Sequence, residues 1–342
     1  MLLPQTDPTP IFEHFRGIHA TELLTAAVAH FQVFEKLRKG PCAANELQRQ
    51  LGLAERPFVV LTTALKAMGL LQSSGDTVEA TPLACEHLLV GEPFDVSGYI
   101  GLAADNPSVL HMVERLRRNR PIGADDDGGA AFIFREGAAS AMDQQASARM
   151  LTLSLAGRAR NVAPHLAARL SARLATRLLD LGGGSGIYAY ALLKAHPALR
   201  AVVFDRAEVL KVADECAAEW GVRDRVELVA GDMFEDSYPG SFDIVLLSNI
   251  LHDWDVPECR KLLRRAAGAV AAGGQVVIHD VFLHDTLDGP LPIALYSAAL
   301  FMLTEGRAYS GAEYRAWLTE VGLTPQPIVP TLVHCGILAG RR

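Results

Sequence analysis

The chain has 342 residues, enough for two domains of ordinary size, and half of them are hydrophobic, ample for a core in each. Its 32 Lys and Arg against 39 Asp and Glu leave a net charge of −7, which argues against a partner held through nucleic-acid phosphates. The five cysteines (Cys42, Cys85, Cys216, Cys259, Cys335) are scattered singly and odd in number, a pattern of reduced thiols rather than of a disulfide framework or a zinc site. The opening MLLPQTDPTP lacks a basic stretch followed by an apolar core, and no run approaches the roughly 20 apolar residues that span a bilayer. A soluble cytoplasmic protein with no membrane partner is therefore expected.

Residues 11 to about 118 carry apolar side chains at three- and four-residue spacing and are predicted helical. Within them, PCAANELQRQLGL and PFVVLTTALKAMGLLQ followed by SSGDTVEATP predict a helix–turn–helix with a two-stranded wing. A winged helix usually suggests DNA, but residues 1–100 hold seven Lys or Arg against eleven Asp or Glu. The would-be recognition helix offers only Arg56 and Lys66, too little for phosphates or base edges. The apolar helices are read instead as a dimer interface, so a homodimer is expected. A short Gly- and Asp-rich stretch, 121–131, reads as an exposed loop, and 132–176 returns to a helical pattern.

From 177 onward the pattern changes. Predicted strands RLLDL, AVVFD, VELVA, FDIVLLS and QVVIHD alternate with helices over 185–196, 206–221 and 256–271. Apolar runs without polar alternation predict strands covered on both faces, as in a parallel sheet between helices. A helix near 311–322 and a strand pair, PQPIVP with LVHCGILAG, close the chain. The expectation is an α/β fold: a doubly wound, Rossmann-like C-terminal domain at 177–342, a mostly helical winged-helix-like domain at 1–100, and a helical connecting region at 101–176 that contributes to a substrate pocket.

The segment Leu179-Asp180-Leu181-Gly182-Gly183-Gly184-Ser185-Gly186 follows a predicted strand and opens a helix. Glycines there allow a ligand close to the backbone, and the helix start offers free N–H groups. A dinucleotide fingerprint would need its third glycine at the place of Ile187, so the spacing points to another nucleoside cofactor. Asp205 ends the second strand, 23 residues after Gly182, where an acid can take both ribose hydroxyls. Asp232 and Met233, after the third strand, are placed to flank an adenine.

His252 follows the fourth strand in Ser248-Asn249-Ile250-Leu251-His252-Asp253-Trp254-Asp255. Asp280 ends the fifth strand 28 residues later, on the same sheet edge as the glycine loop. Ligands bind at that edge in open α/β sheets, and neighbouring strands are about 4.8 Å apart. A carboxylate beside a histidine fixes its tautomer and stabilises the imidazolium, making His252 a candidate general base. The plainer alternative is that His252 or Asp255 merely caps the following helix. His279 is read as structural.

Together these segments resemble the small-molecule O-methyltransferases with an N-terminal dimerisation domain, a family that includes plant caffeic acid, hydroxyindole and bacterial polyketide-tailoring enzymes. LDLGGGSG, the strand-ending FD, GDMF, HDW and VVIHD occur in that family's order over nearly the whole chain. The resemblance implies S-adenosyl-L-methionine as cofactor. Gly182 and Gly184, behind Asp180, would cradle its methionyl part, Asp205 would hold the ribose, Asp232 and Met233 would contact the adenine, and Ser248 would stand near the methionine carboxylate. His252 matches the family's base and Asp280 one of two acids that bracket it. The second acid is a departure: Ala308 occupies its position, and Glu305 three residues upstream is the candidate replacement. No metal is implied.

The reaction expected is methyl transfer to a phenolic or enolic hydroxyl of a small molecule in secondary metabolism. Phe132, Phe134, Met142, Met150, Tyr296, Met302 and Trp317 are the candidate substrate contacts, although such residues more often fill cores. Rival readings are carbon or nitrogen methylation, a non-methylating cofactor binder of the same family, a nicotinamide-dependent oxidoreductase, and a winged-helix ligand-binding regulator.

Overall fold

The structure, a computed structural model, describes residues 6–120, 141–172 and 174–342. The loop expected over 121–131 and the candidate contacts Phe132 and Phe134 lie outside the described residues. The chain divides into two compact units: one takes residues up to 12 with 141–282 and 311–342, the other 13–120 with 283–310.

The first unit is built on a large mixed sheet. Its labelled helices and strands, in chain order, are α1 (Gln145–Arg169), β1 (Arg177–Leu181), α2 (Ile187–Ala195), β2 (Arg200–Asp205), α3 (Ala207–Glu219), β3 (Val226–Ala230), β4 (Phe242–Ser248), α4 (Val256–Ala269), β5 (Val270–Leu283), α5 (Gly311–Glu320), β6 (Thr324–Pro325), β7 (Val329–Pro330) and β8 (Cys335–Arg341). The strand order is β6-β8-β5-β4-β1-β2-β3, with β7 also paired to β8. Strands β1 to β5 are parallel, and β8 runs antiparallel to β5. That is the doubly wound core expected, closed at one side by antiparallel strands.

The apolar runs explain it. Leu178, Leu179, Leu181, Val203, Phe204, Ile244, Val245, Leu246 and Leu247 are all buried, consecutive residues included. Side chains on both faces of a strand are buried only when both faces are covered. Helix α2 has Ile187 to Leu193 buried without a break, so it packs as a core helix, against α1 among others. The chain turns from β1 out to β3 and then returns to β4 on the other side of β1. The crevice between the carboxyl ends of β1 and β4 is thus the topological switch point, where such sheets bind ligands.

The second unit is mostly helical. Helices Ala44–Leu51 and Glu55–Ala67 are followed by strands Leu71–Ser74 and Thr77–Ala80, and the latter also pairs with Cys42–Ala43. Gly75, at φ 58, supplies the positive φ that this two-residue hairpin loop requires. The helix–helix–hairpin order is the one expected from the sequence. Leu23, Phe34, Leu47, Leu61, Leu65, Val113 and Leu116 form the core, joined by Phe301 from helix Leu291–Leu303. That last helix shows where contiguous boundaries mislead: a division at 177 assigns it to the C-terminal domain, whereas it packs on Glu55–Ala67 in the other unit.

Arg115 ties this helix down. It donates from Nε to Phe301 O at 2.8 Å and from Nη2 to Thr304 O at 2.9 Å, satisfying carbonyls that a helix end leaves open. No described helix is long and apolar enough to cross a membrane.

Candidate active site at the carboxyl edge of the sheet

The glycine loop joins β1 to α2. Gly182, Gly184 and Gly186 all have positive φ (68, 58 and 72°), a region costly for residues with a Cβ. A Cβ on Gly183 would lie 2.8 Å from the Asp180 carboxyl carbon, and one on Gly186 would run into the Tyr190 ring. Gly184 differs: nothing lies within 4 Å of its Cβ position, so its backbone faces open space. Asp205, at the end of β2, accepts the Gly184 N–H at 2.8 Å, which pins the loop to the second strand.

Asp180 is buried, and its Oδ2 has no hydrogen-bond partner. Burial, reinforced by the Asp205 carboxylate, pushes its carboxyl up to about 7. Burial also raises Asp205, against the pull of the Gly184 and Arg206 N–H groups. Asp232 accepts from Phe234 N at 2.7 Å and from Arg206 Nη2 at 3.3 Å. The Met233 sulfur is 3.5 Å from the Cβ position of Gly182.

His252 sits in the short 3₁₀ turn Leu251–Asp253 that follows β4. Its Nδ1 donates to Asp280 Oδ1 at 2.5 Å, and its Nε2 lies 3.6 Å from Asp253 Oδ1. Both His252 and Asp280 are buried. Burial by itself would lower the imidazole pKa, but the Asp280 and Asp253 carboxylates and the Asp280 hydrogen bond leave it raised. Asp280 is held below the usual carboxylate range: burial pushes it up, and His252 and the Val281 N–H pull it further down. Burial pushes Asp253 up to about 6. The helix cap is Asp255, which accepts from Val256 N at 2.8 Å, so His252 is not spent on capping.

Three residues of this cluster were not singled out from the sequence. Tyr314 on α5 donates to Asp280 Oδ2 at 3.2 Å, giving the carboxylate a second anchor. Asp253 was in view inside the HDW string without a role. Asn249 takes a left-handed conformation and bonds Tyr188 and Ser248, relationships that only the folded loop creates. Ser248 directs its hydroxyl to His279 at 2.8 Å. His279, fully buried, is structural as expected, and burial pushes it down to about 3, so it is neutral.

The other candidates scatter. Trp317 is packed edge-on against Tyr314 in the core of the first unit, and Met302 belongs to the core of the second. Tyr296 lies under the Arg16 guanidinium at 3.9 Å, Met150 is exposed and Met142 half-buried. Glu305 lies in the turn after helix Leu291–Leu303, where Gly306 N bonds Thr304 Oγ1 at 3.0 Å. Ala308 is fully buried, and its N–H donates to Ser297 Oγ.

An open glycine backbone and an acid at the end of the next strand stand at the sheet edge where open α/β folds bind ligands. The doubly wound sheet with its glycine loop is consistent with a Rossmann-like methyltransferase. Comparison with known proteins specifies the family. Residues 144–324 match the model of the O-methyltransferase domain. The chain is 34% identical over 317 residues to 3-hydroxy-5-methyl-1-naphthoate 3-O-methyltransferase of Streptomyces sahachiroi, covering 92% of this chain and 89% of that one. It is 29% identical to acetylserotonin O-methyltransferase of Mus musculus molossinus, over 90% and 81% of the two chains. A crystal structure of an O-methyltransferase family 2 protein from Planctomyces limnophilus in complex with apigenin superposes with a TM-score of 0.89 at 47% identity, covering 100% and 98%. The chain therefore belongs to the O-methyltransferase family 2 and is an S-adenosylmethionine-dependent O-methyltransferase acting on small molecules.

Proposed function

We propose that this enzyme methylates a phenolic or enolic hydroxyl, with His252 as general base and Asp280 as the residue that orients it. The observation that carries the reading is the 2.5 Å bond from His252 Nδ1 to Asp280 Oδ1, at the sheet edge where the glycine loop also ends. With Nδ1 so engaged, Nε2 is the nitrogen that takes the acceptor's proton. Bound S-adenosylmethionine supplies a methyl on a positively charged sulfur, already activated for displacement. The chain's own tasks are alignment, worth about 7–11 kcal/mol of barrier, and deprotonation, worth about 10²–10⁴ in rate.

The acidity of the acceptor decides its class. Between a phenol of pKa about 10 and an imidazole of about 6.5, proton transfer is uphill by roughly 5 kcal/mol. The raised His252 narrows that gap. An alcohol, far less acidic, leaves it too wide. The hydroxynaphthoate named for the Streptomyces relative is an acceptor of the favoured kind.

In this reading Gly182 and Gly184 take the methionyl end of the cofactor, Asp205 the ribose, and Asp232 with Met233 the adenine, with Ser248 near the carboxylate. Asp180 stands behind the loop. The 1–100 region is a winged-helix-like dimerisation domain, and 101–176 is a connecting region that contributes to the substrate pocket. The test is transfer of labelled methyl to a panel of phenols, catechols and hydroxyquinones, with the new methyl located by mass spectrometry. An oxygen-linked methyl, lost by about 10² or more in His252→Ala, supports the assignment. Undiminished transfer in the variant removes His252 from the base role, and a carbon- or nitrogen-linked product overturns the acceptor class.

A further inference from the structure

Asn249 is a half-buried polar residue that the chemistry above leaves unused. It follows β4 at φ 58, a left-handed conformation that asparagine tolerates better than most residues. Its backbone N–H donates to His279 O at 2.9 Å. Its side-chain Nδ2 donates to Ser248 Oγ at 3.1 Å and to Tyr188 Oη at 3.2 Å. Ser248 Oγ accepts that proton, so its own proton goes on to His279 Nδ1, 2.8 Å away. His279 then carries its hydrogen on Nε2 and donates it to Thr331 Oγ1 at 3.1 Å. One run of donors leads from Asn249 to Thr331, and both amide protons are spent inside the protein. The amide oxygen Oδ1 remains, buried and without a hydrogen-bond partner.

The register places Asn249 at the end of β4, next to β1. Asp180 on β1 pairs with Leu246 on β4, so two residues further on Gly182 comes beside Ser248. The Ile250 side chain closes on Gly182, with Cδ1 only 2.7 Å from where a Cβ would stand. Asn249 therefore sits against the glycine loop at the switch point. Buried acceptors are normally paired, and an orphan beside the glycine loop marks the place of a missing donor group.

We propose that Asn249 Oδ1 accepts a hydrogen bond from the α-ammonium of the cofactor's amino-acid end. The Ser248–His279–Thr331 chain keeps the amide turned so that its oxygen faces the ligand. Asn249 is then a cofactor-binding residue of this enzyme. The assignment rests on S-adenosylmethionine as cofactor and is independent of which acceptor is methylated.

Titration calorimetry on the full chain tests it, with S-adenosylhomocysteine and its desamino analogue, in which hydrogen replaces the ammonium, as probes. Asn249→Leu is expected to weaken S-adenosylhomocysteine by about 10- to 100-fold while changing the analogue by less than about threefold. Asn249→Asp, which still offers an oxygen and suits the loop as a near-isostere, is expected to bind S-adenosylhomocysteine at least tenfold more tightly than the leucine variant. Equal losses for the two probes, or no loss at all, overturn the proposal. So does an aspartate variant weaker than the leucine one, which would mean that the amide donates to the carboxylate end instead. Methyl transfer enters none of these readings, so a failed choice of acceptor leaves them intact.

Discussion

Asp280 offers one oxygen to His252 Nδ1 at 2.5 Å and the other to Tyr314 Oη at 3.2 Å, so its carboxylate is fixed at both ends before any substrate arrives. In the role proposed for His252, a proton accepted on Nε2 leaves an imidazolium beside that fixed charge, where its stabilisation needs no reorganisation. Asp280→Asn keeps the shape and removes the charge. The expected result is a fall of about 10²-fold or more in kcat, with the affinity for S-adenosylhomocysteine little changed. Tyr314→Phe, which removes only the second anchor, should cost less, about tenfold. Steady-state kinetics beside calorimetry separate these outcomes; an Asp280→Asn enzyme of full activity would refute the role.

The same pair sets the pH dependence. His252 is raised in the folded chain above its ordinary value of about 6.5, despite burial, by the carboxylates of Asp280 and Asp253. A base works in its neutral form, so kcat/KM should climb as pH rises through a midpoint above about 6.5. Asp280→Asn should move that midpoint down. Stability runs the other way for this group. Protonated His252 contributes stability fully present below its unfolded value and lost as pH rises through the folded one. Asp280, held low, contributes above an unfolded value of about 3.9 and loses that contribution as pH falls through its folded one. Urea titrations at a series of pH values should show an alkaline loss that is absent in His252→Gln.

Two glycines of the loop should fail differently. At Gly186, φ is 72° and a Cβ would overlap the Tyr190 ring, whose hydroxyl is itself held by Ala213 O at 2.9 Å. Gly186→Ala should lower stability by about 2 kcal/mol or more, seen as a lower urea midpoint. At Gly184, open space surrounds the Cβ position, and only the positive φ is strained. Gly184→Ala should cost about 1 kcal/mol of stability but weaken S-adenosylhomocysteine binding by tenfold or more, because the methyl occupies the surface that the ligand approaches. Equal effects on folding and binding in both variants would contradict the division.

How much of this was legible beforehand depends on the range of the interactions involved. RLLDL is β1 to the residue, because a strand buried on both faces is an apolar run ending in a glycine turn. The proximity of His252 and Asp280 followed from two strand ends on one edge. Helix Leu291–Leu303 is apolar on nearly every side, and such a pattern marks burial without naming the neighbour. Its place beside Glu55–Ala67 was therefore not readable. Tyr314 reaches Asp280 across 34 residues of sequence, and Asn249 gains its meaning from a left-handed φ and three partners. Neither leaves a local trace. The methionines and aromatics showed the limit of composition: Met302 and Trp317 turned out to be core.

The N-terminal unit offers the last test. Phe15, Ile18, Tyr99 and Leu102 are 78, 65, 79 and 80% exposed, although the unit has a well-formed core of its own. Large apolar side chains held in water lose the roughly 1.5–3 kcal/mol that each gains on full burial, and exposed apolar side chains of this size are candidates for an interaction surface. If a second copy of the chain covers them, sedimentation velocity at micromolar concentration should give a dimer. Phe15→Glu with Ile18→Glu places charge in that interface, where each unpaired burial costs several kcal/mol, so the double variant should sediment as a folded monomer with unchanged circular dichroism. Wild-type chain that sediments as a monomer, or a double variant that remains dimeric, would mean that this surface is not the contact between copies.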